Sequence, residues 1–181
     1  MRKLYTTRGD RGETDLLGER VAKDDPRIEV IGALDEATSA IGLGRALATT
    51  ERAGPLLIEV QRDLYKIMAE LAFTDELRPA GYTLAEGRVA WLEEITDELT
   101  AEVELPPQFI LPGETVPGAT LDVARTVVRR AERLAVSLQR EGHLANEQIL
   151  RYLNRLSSLL FILARFEERA AGATARNAKA T

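Results

Sequence analysis

A glycine-broken, ion-rich leader, TTRGDRGETDLLGERVAKDDPRIEVIGALDE, opens a chain that otherwise reads as helices. Gly9, Gly12, Gly18 and Gly32 permit positive φ or close backbone approach. Between and around them lie the hydroxyls Thr6, Thr7 and Thr14, the cations Arg8, Arg11, Arg20, Lys23 and Arg27, and the carboxylates Asp10, Glu13, Asp15, Asp24 and Asp25. Backbone N–H groups, hydroxyls and cationic heads suit a polyphosphate, and carboxylates suit its divalent cation. The same composition also describes an unordered tail of mixed charge. Against that, Leu16, Leu17, Val21 and Ile28 are apolar spacers that suggest packing back onto the body.

A second charged group sits in ARTVVRRAER. On a helix Asp122, Arg125, Arg129, Glu132 and Arg133 share one stripe, and Arg130 lies about 100° round the axis from Arg129. Facing solvent, these are ordinary helix ion pairs. Facing a ligand, the guanidinium groups can grip a triphosphate bidentately, with Glu132 orienting an arginine or holding a cation. Asp35, in the apolar context GALDEATSAIG, either points into a helix seam and needs an arginine partner from this group, or marks a solvent side. Arg151, Asn154, Arg155 and Ser158 form a polar strip that could read an adenosine or ribose edge, or simply face water. His143, after Gly142, reads as a turn histidine, and Trp91 and Tyr65 as packing residues.

The elements that must position these groups are helical. Among 181 residues, 45% are apolar, enough for one domain with a real core. Apolar residues at helical spacing predict helices over 29–50, 55–73, 82–101, about 117–142 and 145–170. Pro55 and Pro117 sit in first turns, and Gly142 is a stop. The fourth helix is expected to bury Val123, Val127, Ala131, Leu134 and Leu138. Between helices three and four, VELPPQFILPGETVPG is an irregular connector of the kind that usually has a role. Residues 1–28 form the leader, 29–170 the bundle, and 171–181 are expected to be frayed. The fold expectation is all-α, a five-helix bundle with an irregular N-terminal nucleotide-binding segment.

Charge and composition narrow the function. A net charge of −5 gives no support to nonspecific nucleic-acid binding. The absence of cysteine excludes disulfides, thiolate metal sites and cysteine nucleophiles, and one histidine cannot build a His-rich zinc centre. Charges interrupt every apolar run before membrane-spanning length, so a soluble cytoplasmic protein is expected.

Taken together, the leader, the FILPGE turn, the ARTVVRRAER helix and RYLNRLSSLLFILAR resemble the PduO-type ATP:cob(I)alamin (corrinoid) adenosyltransferase family, in the family's order and over about residues 5–45 and 109–166. The resemblance implies a ferritin-like five-helix bundle assembled as a homotrimer, with ATP and corrinoid meeting at subunit interfaces. It implies an ATP loop of Thr6, Thr7, Gly9, Asp10, Gly12 and Lys23, extended by Arg27. Arg130, Glu132 and Asn154 become ATP or Mg2+ contacts. Asp35 and Arg125 become a salt bridge that positions the corrinoid, with Arg129 nearby, and Phe109 the aromatic that keeps the lower axial ligand off cobalt. The chain departs from the family's pattern at Arg8, Thr38, Glu114, Asp122 and Ser158, and has one glycine where members often have two, at LLGERV.

The implied chemistry is displacement: Co(I) attacks the 5′ carbon of ATP, giving adenosylcobalamin and triphosphate. No activated side-chain nucleophile is needed, so the protein's task is alignment and charge neutralisation, with Arg129, Arg130 and Phe109 as its catalytic residues. A corrinoid reductase and a cobalamin-dependent acceptor enzyme are the implied partners. The alternatives are a non-catalytic module that binds ATP or adenosylcobalamin, and a purely structural helical oligomer.

Overall fold

Two of the long helices start where a side chain accepts a free backbone donor of the first turn and a proline removes another. In the computed structural model, which describes residue 5 and residues 7–74 and 76–179, α1 (Pro26–Leu47) is capped by Asp25, whose carboxylate accepts the Arg27 N–H at 2.8 Å. After α2 (Ala53–Ala72) and α3 (Gly87–Glu102), α4 (Val116–Arg140) is capped by Thr115, whose hydroxyl accepts the Gly118 N–H at 3.1 Å. Gly142, at φ 81°, closes its far end. α5 (Gln148–Ala170) follows Asn146, whose side-chain oxygen accepts the Gln148 N–H. Five helices stand where five were expected, with ends within a few residues except at α3. There Ala80–Tyr82 is a single 3-10 turn, and the Leu84 N–H is taken at 2.8 Å by the buried Glu70 carboxylate, so the helix begins at Gly87 rather than 82.

α4 packs between α1 and α5, and α5 also packs against α3. α1 and α4 run antiparallel: Gly44 lies against Leu121, and Glu36 pairs with Arg130. α5 is buried on nearly every side, through Tyr152, Leu153, Leu156, Leu159, Leu160 and Leu163. The buried stripe of α4 is Leu121, Ala124, Val128, Ala131, Ala135 and Leu138, which corrects the expected one. Ala131 and Leu138 are common to both, Val127 and Leu134 are half-buried, and Val123 is 57% exposed.

The leader is folded. Arg8–Arg11 forms a 3-10 turn, and β1 (Glu13–Asp15) pairs antiparallel with β2 (Arg20–Ala22). Leu17 staples this hairpin to the end of α2, its N–H donating to Ala72 O at 2.9 Å while its carbonyl accepts Thr74 N–H at 3.2 Å. The described part of the tail is paired too, where fraying was expected: β3 (Ile110–Leu111) and β4 (Arg176–Asn177) form an antiparallel ladder.

Candidate active site

Within the leader, Arg20 is the keystone that sequence reasoning did not single out. Its guanidinium donates to Glu13 at 2.9 Å, to Asp15 at 2.7 Å and to the Arg8 carbonyl at 2.7 Å, joining both strands to the 3-10 turn. Thr7, at φ 58°, is the one non-glycine residue at positive φ among the described residues, a strained position of the kind found in ligand clamps. Gly12, at φ 80°, donates its N–H to Gly9 O and accepts the Lys23 N–H at 2.8 Å. A Cβ on Gly9 would sit 3.1 Å from the Lys23 Nζ, so the glycine lets that ammonium lie across the turn. Neither the Lys23 ammonium nor the Asp10 carboxylate has a partner among the described residues. Thr6 lies outside the described residues.

Arg27 is held differently. It donates to Glu19 at 2.5 Å and to Asp25, which keep its guanidinium firmly charged, and the Arg27 contacts hold the Asp25 carboxyl below its usual range. Arg27 lines a cavity of about 310 Å³ with Arg78, His143 and Asn146, at the end of the bundle where the leader docks.

The α4 arginines divide between two flanks. Arg130 turns toward α1 and pairs with Glu36. On the other flank Glu132 accepts from Asn154 Nδ2 at 2.9 Å, and Asn154 Oδ1 accepts from Arg155 at 2.7 Å, so two of the expected nucleotide contacts are joined by a hydrogen bond. Arg129 is exposed and its guanidinium has no partner among the described residues. The second Glu132 oxygen has no partner among the described residues. No group of three or more His, Asp or Glu able to hold a metal ion occurs among the described residues.

Beside Arg129 is a groove made of two adjoining pockets, about 440 and 310 Å³, which share Leu105, Arg125 and Phe161. The connector residues Pro106, Pro107 and Phe109 wall the first, and Arg129 and Ser158 line the second. Phe109 is 91% exposed, a large aromatic placed over a pocket mouth. Arg125 reaches Asp122 through Nε at 3.0 Å. Asp35 is exposed and has no ion pair among the described residues, so the expected Asp35–Arg125 bridge does not form within one chain. The groove also exposes what the residue pattern hid. Asp122, Arg165 and Glu168 form a buried ionic cluster behind it, and Arg165 carries no signal in the sequence beyond being a charge inside the apolar run FILARF.

The molecule thus has a folded leader with a free ammonium at one end and a guanidinium-lined apolar groove along its side. A family model described as cobalamin adenosyltransferase matches residues 4–167. A corrinoid adenosyltransferase of Bacillus subtilis is 41% identical over 167 residues, covering 90% of this chain and 85% of that one. The corrinoid adenosyltransferase PduO of Salmonella typhimurium is 40% identical over 91% of this chain, which spans 49% of that longer relative. Among solved structures, a Phe-to-His variant of a PduO-type ATP:corrinoid adenosyltransferase from Lactobacillus reuteri, complexed with cobalamin and ATP, superposes with a TM-score of 0.91 at 34% identity, covering 98% of this chain and 97% of that one. The chain belongs to the cobalamin adenosyltransferase family. Within it the chain is of PduO type, and its activity is ATP-dependent corrinoid adenosyl transfer.

Proposed function

We propose that the ATP site is completed by two copies of the chain, the leader of one closing over the α4–α5 edge of another. The carrying observation is that Lys23 and Asp10 in the leader and Arg129 on the α4–α5 edge are all unpaired among the described residues, while Arg27 lines the cavity at the end of the bundle and Arg129 lines the groove on its side. Thr6, Thr7, Gly9, Asp10, Gly12, Lys23 and Arg27 form the phosphate side in this reading. Arg129, Arg130, Glu132 and Asn154 supply the opposing edge, with Arg130 exchanging Glu36 for phosphate. Mg2+ fits as an ion held by phosphate oxygens and water with the open Glu132 oxygen as its protein ligand, where it would neutralise charge on the triphosphate.

The apolar groove takes the corrinoid. Phe109, Ile110 and Leu111 shield the reduced cobalt from water and from its lower axial ligand, and Asp35 of the partner subunit completes the Arg125 side. The cobalt electron pair forms the bond to the 5′ carbon as the carbon–oxygen bond to triphosphate breaks. Arg129 and Arg130 neutralise the charge developing on that leaving group, a task worth about 10²–10³ in rate per donor.

A homotrimer accords with a strip of exposed apolar side chains on the α1–α4 face, Leu43 and Leu47 on one helix, Val116 and Val123 on the other. No helix among the described residues is long and apolar enough to cross a membrane, which accords with a cytoplasmic enzyme supplied by a reductase and serving a cobalamin-dependent acceptor. Subunit mixing tests the shared site. Lys23→Ala and Arg129→Ala proteins, each inactive alone, should regain adenosylation when unfolded and refolded together. No recovery in verified mixed oligomers means that each copy builds its own site.

A further inference from the structure

Arg125 is the guanidinium common to both pockets of the groove, and the way it is held is unusual for a helix-surface arginine. Its partner Asp122 is only 4% exposed, so this i,i+3 pair is not an ordinary solvated one. Behind Asp122 stands Arg165, also 4% exposed, whose Nη2 meets the second Asp122 oxygen at 2.6 Å. Arg165 is held in turn by Glu168, through Nε at 2.7 Å and Nη2 at 2.9 Å. The four side chains make one chain of charges from the core to the groove: Glu168, Arg165, Asp122, Arg125.

The charge count explains why Arg125 is tied down. One buried cation, Arg165, faces two buried carboxylates, Asp122 and Glu168, which leaves an excess negative charge in a poorly hydrated place. Arg125 supplies the missing positive charge at the solvent end. Burial, with the charges of Asp122 and Glu114, pushes the Glu168 carboxyl above its usual range although Arg165 opposes this, in keeping with an acid-rich cluster that wants a further cation. Gly118 makes room for the arrangement: a Cβ there would lie 2.7 Å from Glu168 Oε1.

The contact uses only the Nε edge of Arg125. Both Nη groups have no partner among the described residues, while the guanidinium lines the groove. A planar fork fixed along one edge presents its other donors in a set direction, and an unanchored arginine must lose that freedom on binding. We propose that Asp122, itself fixed by the buried Arg165–Glu168 pair, is a positioning residue that holds Arg125 by its Nε edge and aims its Nη donors into the groove, toward the corrinoid and Asp35 of the partner subunit. The inference rests on the reading that the groove is the corrinoid site.

Steady-state adenosylation with either substrate varied, under reductant and with the other saturating, tests it in Asp122→Asn, Arg125→Ala and the double variant. Asparagine keeps the size of the side chain and leaves Arg165 paired with Glu168, so helicity and oligomeric state should be retained. Asp122→Asn should raise the corrinoid KM about tenfold with little change in ATP KM, and the double variant should be no worse than Arg125→Ala alone. Additive losses, or an unchanged corrinoid KM in Asp122→Asn beside a raised one in Arg125→Ala, overturn the positioning role and leave the site reading intact. No effect of Arg125→Ala on corrinoid KM overturns both. Should the asparagine variant not fold, Asp122→Glu, which keeps the charge but displaces it, carries the same test: a raised corrinoid KM supports the role, and wild-type kinetics sink it.

Discussion

The Ala178 backbone N–H donates to the carbonyl of Phe109 across 2.7 Å, and this bond ties the last described turn of the chain to the most exposed aromatic in the molecule. The β3–β4 ladder extends the tie, pairing Ile110 with Asn177 and Leu111 with Arg176. The segment that walls the proposed corrinoid groove is therefore braced from the C-terminus. Truncation after Gly172 should leave helicity unchanged but free the Phe109 segment, lowering kcat for adenosylation by up to about 10²-fold, the cost of an ångström-scale misplacement. Unchanged kcat in the truncated protein would show that the ladder does not govern Phe109.

The two central arginines of α4 should be separable by stability. Arg129 has no partner among the described residues and Arg130 pairs with Glu36, so Arg129→Ala removes only a ligand contact, whereas Arg130→Ala also leaves the Glu36 carboxylate alone. Each should reduce turnover by about 10²–10³, with far-ultraviolet circular dichroism unchanged and a small fall in thermal midpoint for Arg130→Ala alone. Full activity in both variants would refute their assigned roles.

Acid stability should report on Glu167. Its carboxylate is fully buried, and although burial favours the protonated form, hydrogen bonds from the hydroxyls and backbone N–H groups of Thr49 and Thr50 hold its pKa below the usual range. A depressed carboxyl pKa stabilises the fold above the unfolded-state value, and that contribution disappears as pH falls through the folded-state value. Glu167→Gln should cost about 2 kcal/mol at neutral pH. Its stability should also decline less steeply below pH ~5 than wild type, as read by denaturant unfolding across pH. Parallel pH profiles would exclude the assignment.

Assembly should depend on the α1–α4 strip. Leu43→Asp and Val123→Asp place charge on side chains 55% and 57% exposed, so one chain's core is untouched and each variant should remain helical. Sedimentation should show smaller species than wild type, with adenosylation lost in step. A Val123→Asp protein of wild-type size and activity would remove the strip from the interface.

Gly18 gives a test of the leader's attachment. At φ 124° it holds a backbone conformation that any side chain would strain, and a Cβ there would also crowd Leu77 Cδ1 at 2.8 Å and Thr74 Oγ1 at 2.9 Å. Gly18→Ala should shift the hairpin off the end of α2 and raise ATP KM more than corrinoid KM. Equal KM values for both substrates relative to wild type would mean that the leader tolerates the shift.

The ends of α4 were readable because Pro117 and Gly142 each act within one turn, whereas the Asp25 cap was not read and α1 begins at Pro26 rather than 29. The phase of α4 was not readable. Leu121, Val128, Val123 and Val127 are all apolar, and a helix carrying two apolar flanks does not say which of them faces its own core. The two-residue strands of the connector and the tail were equally silent, since so short a segment has no period to detect.

By itself the sequence determined the five helices, the polar leader and the residue types available for phosphate and corrinoid, because periodicity, capping and the order of motifs are local properties of the chain. Only the tertiary structure decided that Arg130 faces α1 while Arg129 lines the groove, that Arg125 is tied through Asp122 to a buried arginine, and that the tail braces Phe109. Those facts depend on which faces the packing buries and on charges brought together from 43 residues apart, as Asp122 and Arg165 are. Burial then removes the water that would otherwise leave such charges independent of one another.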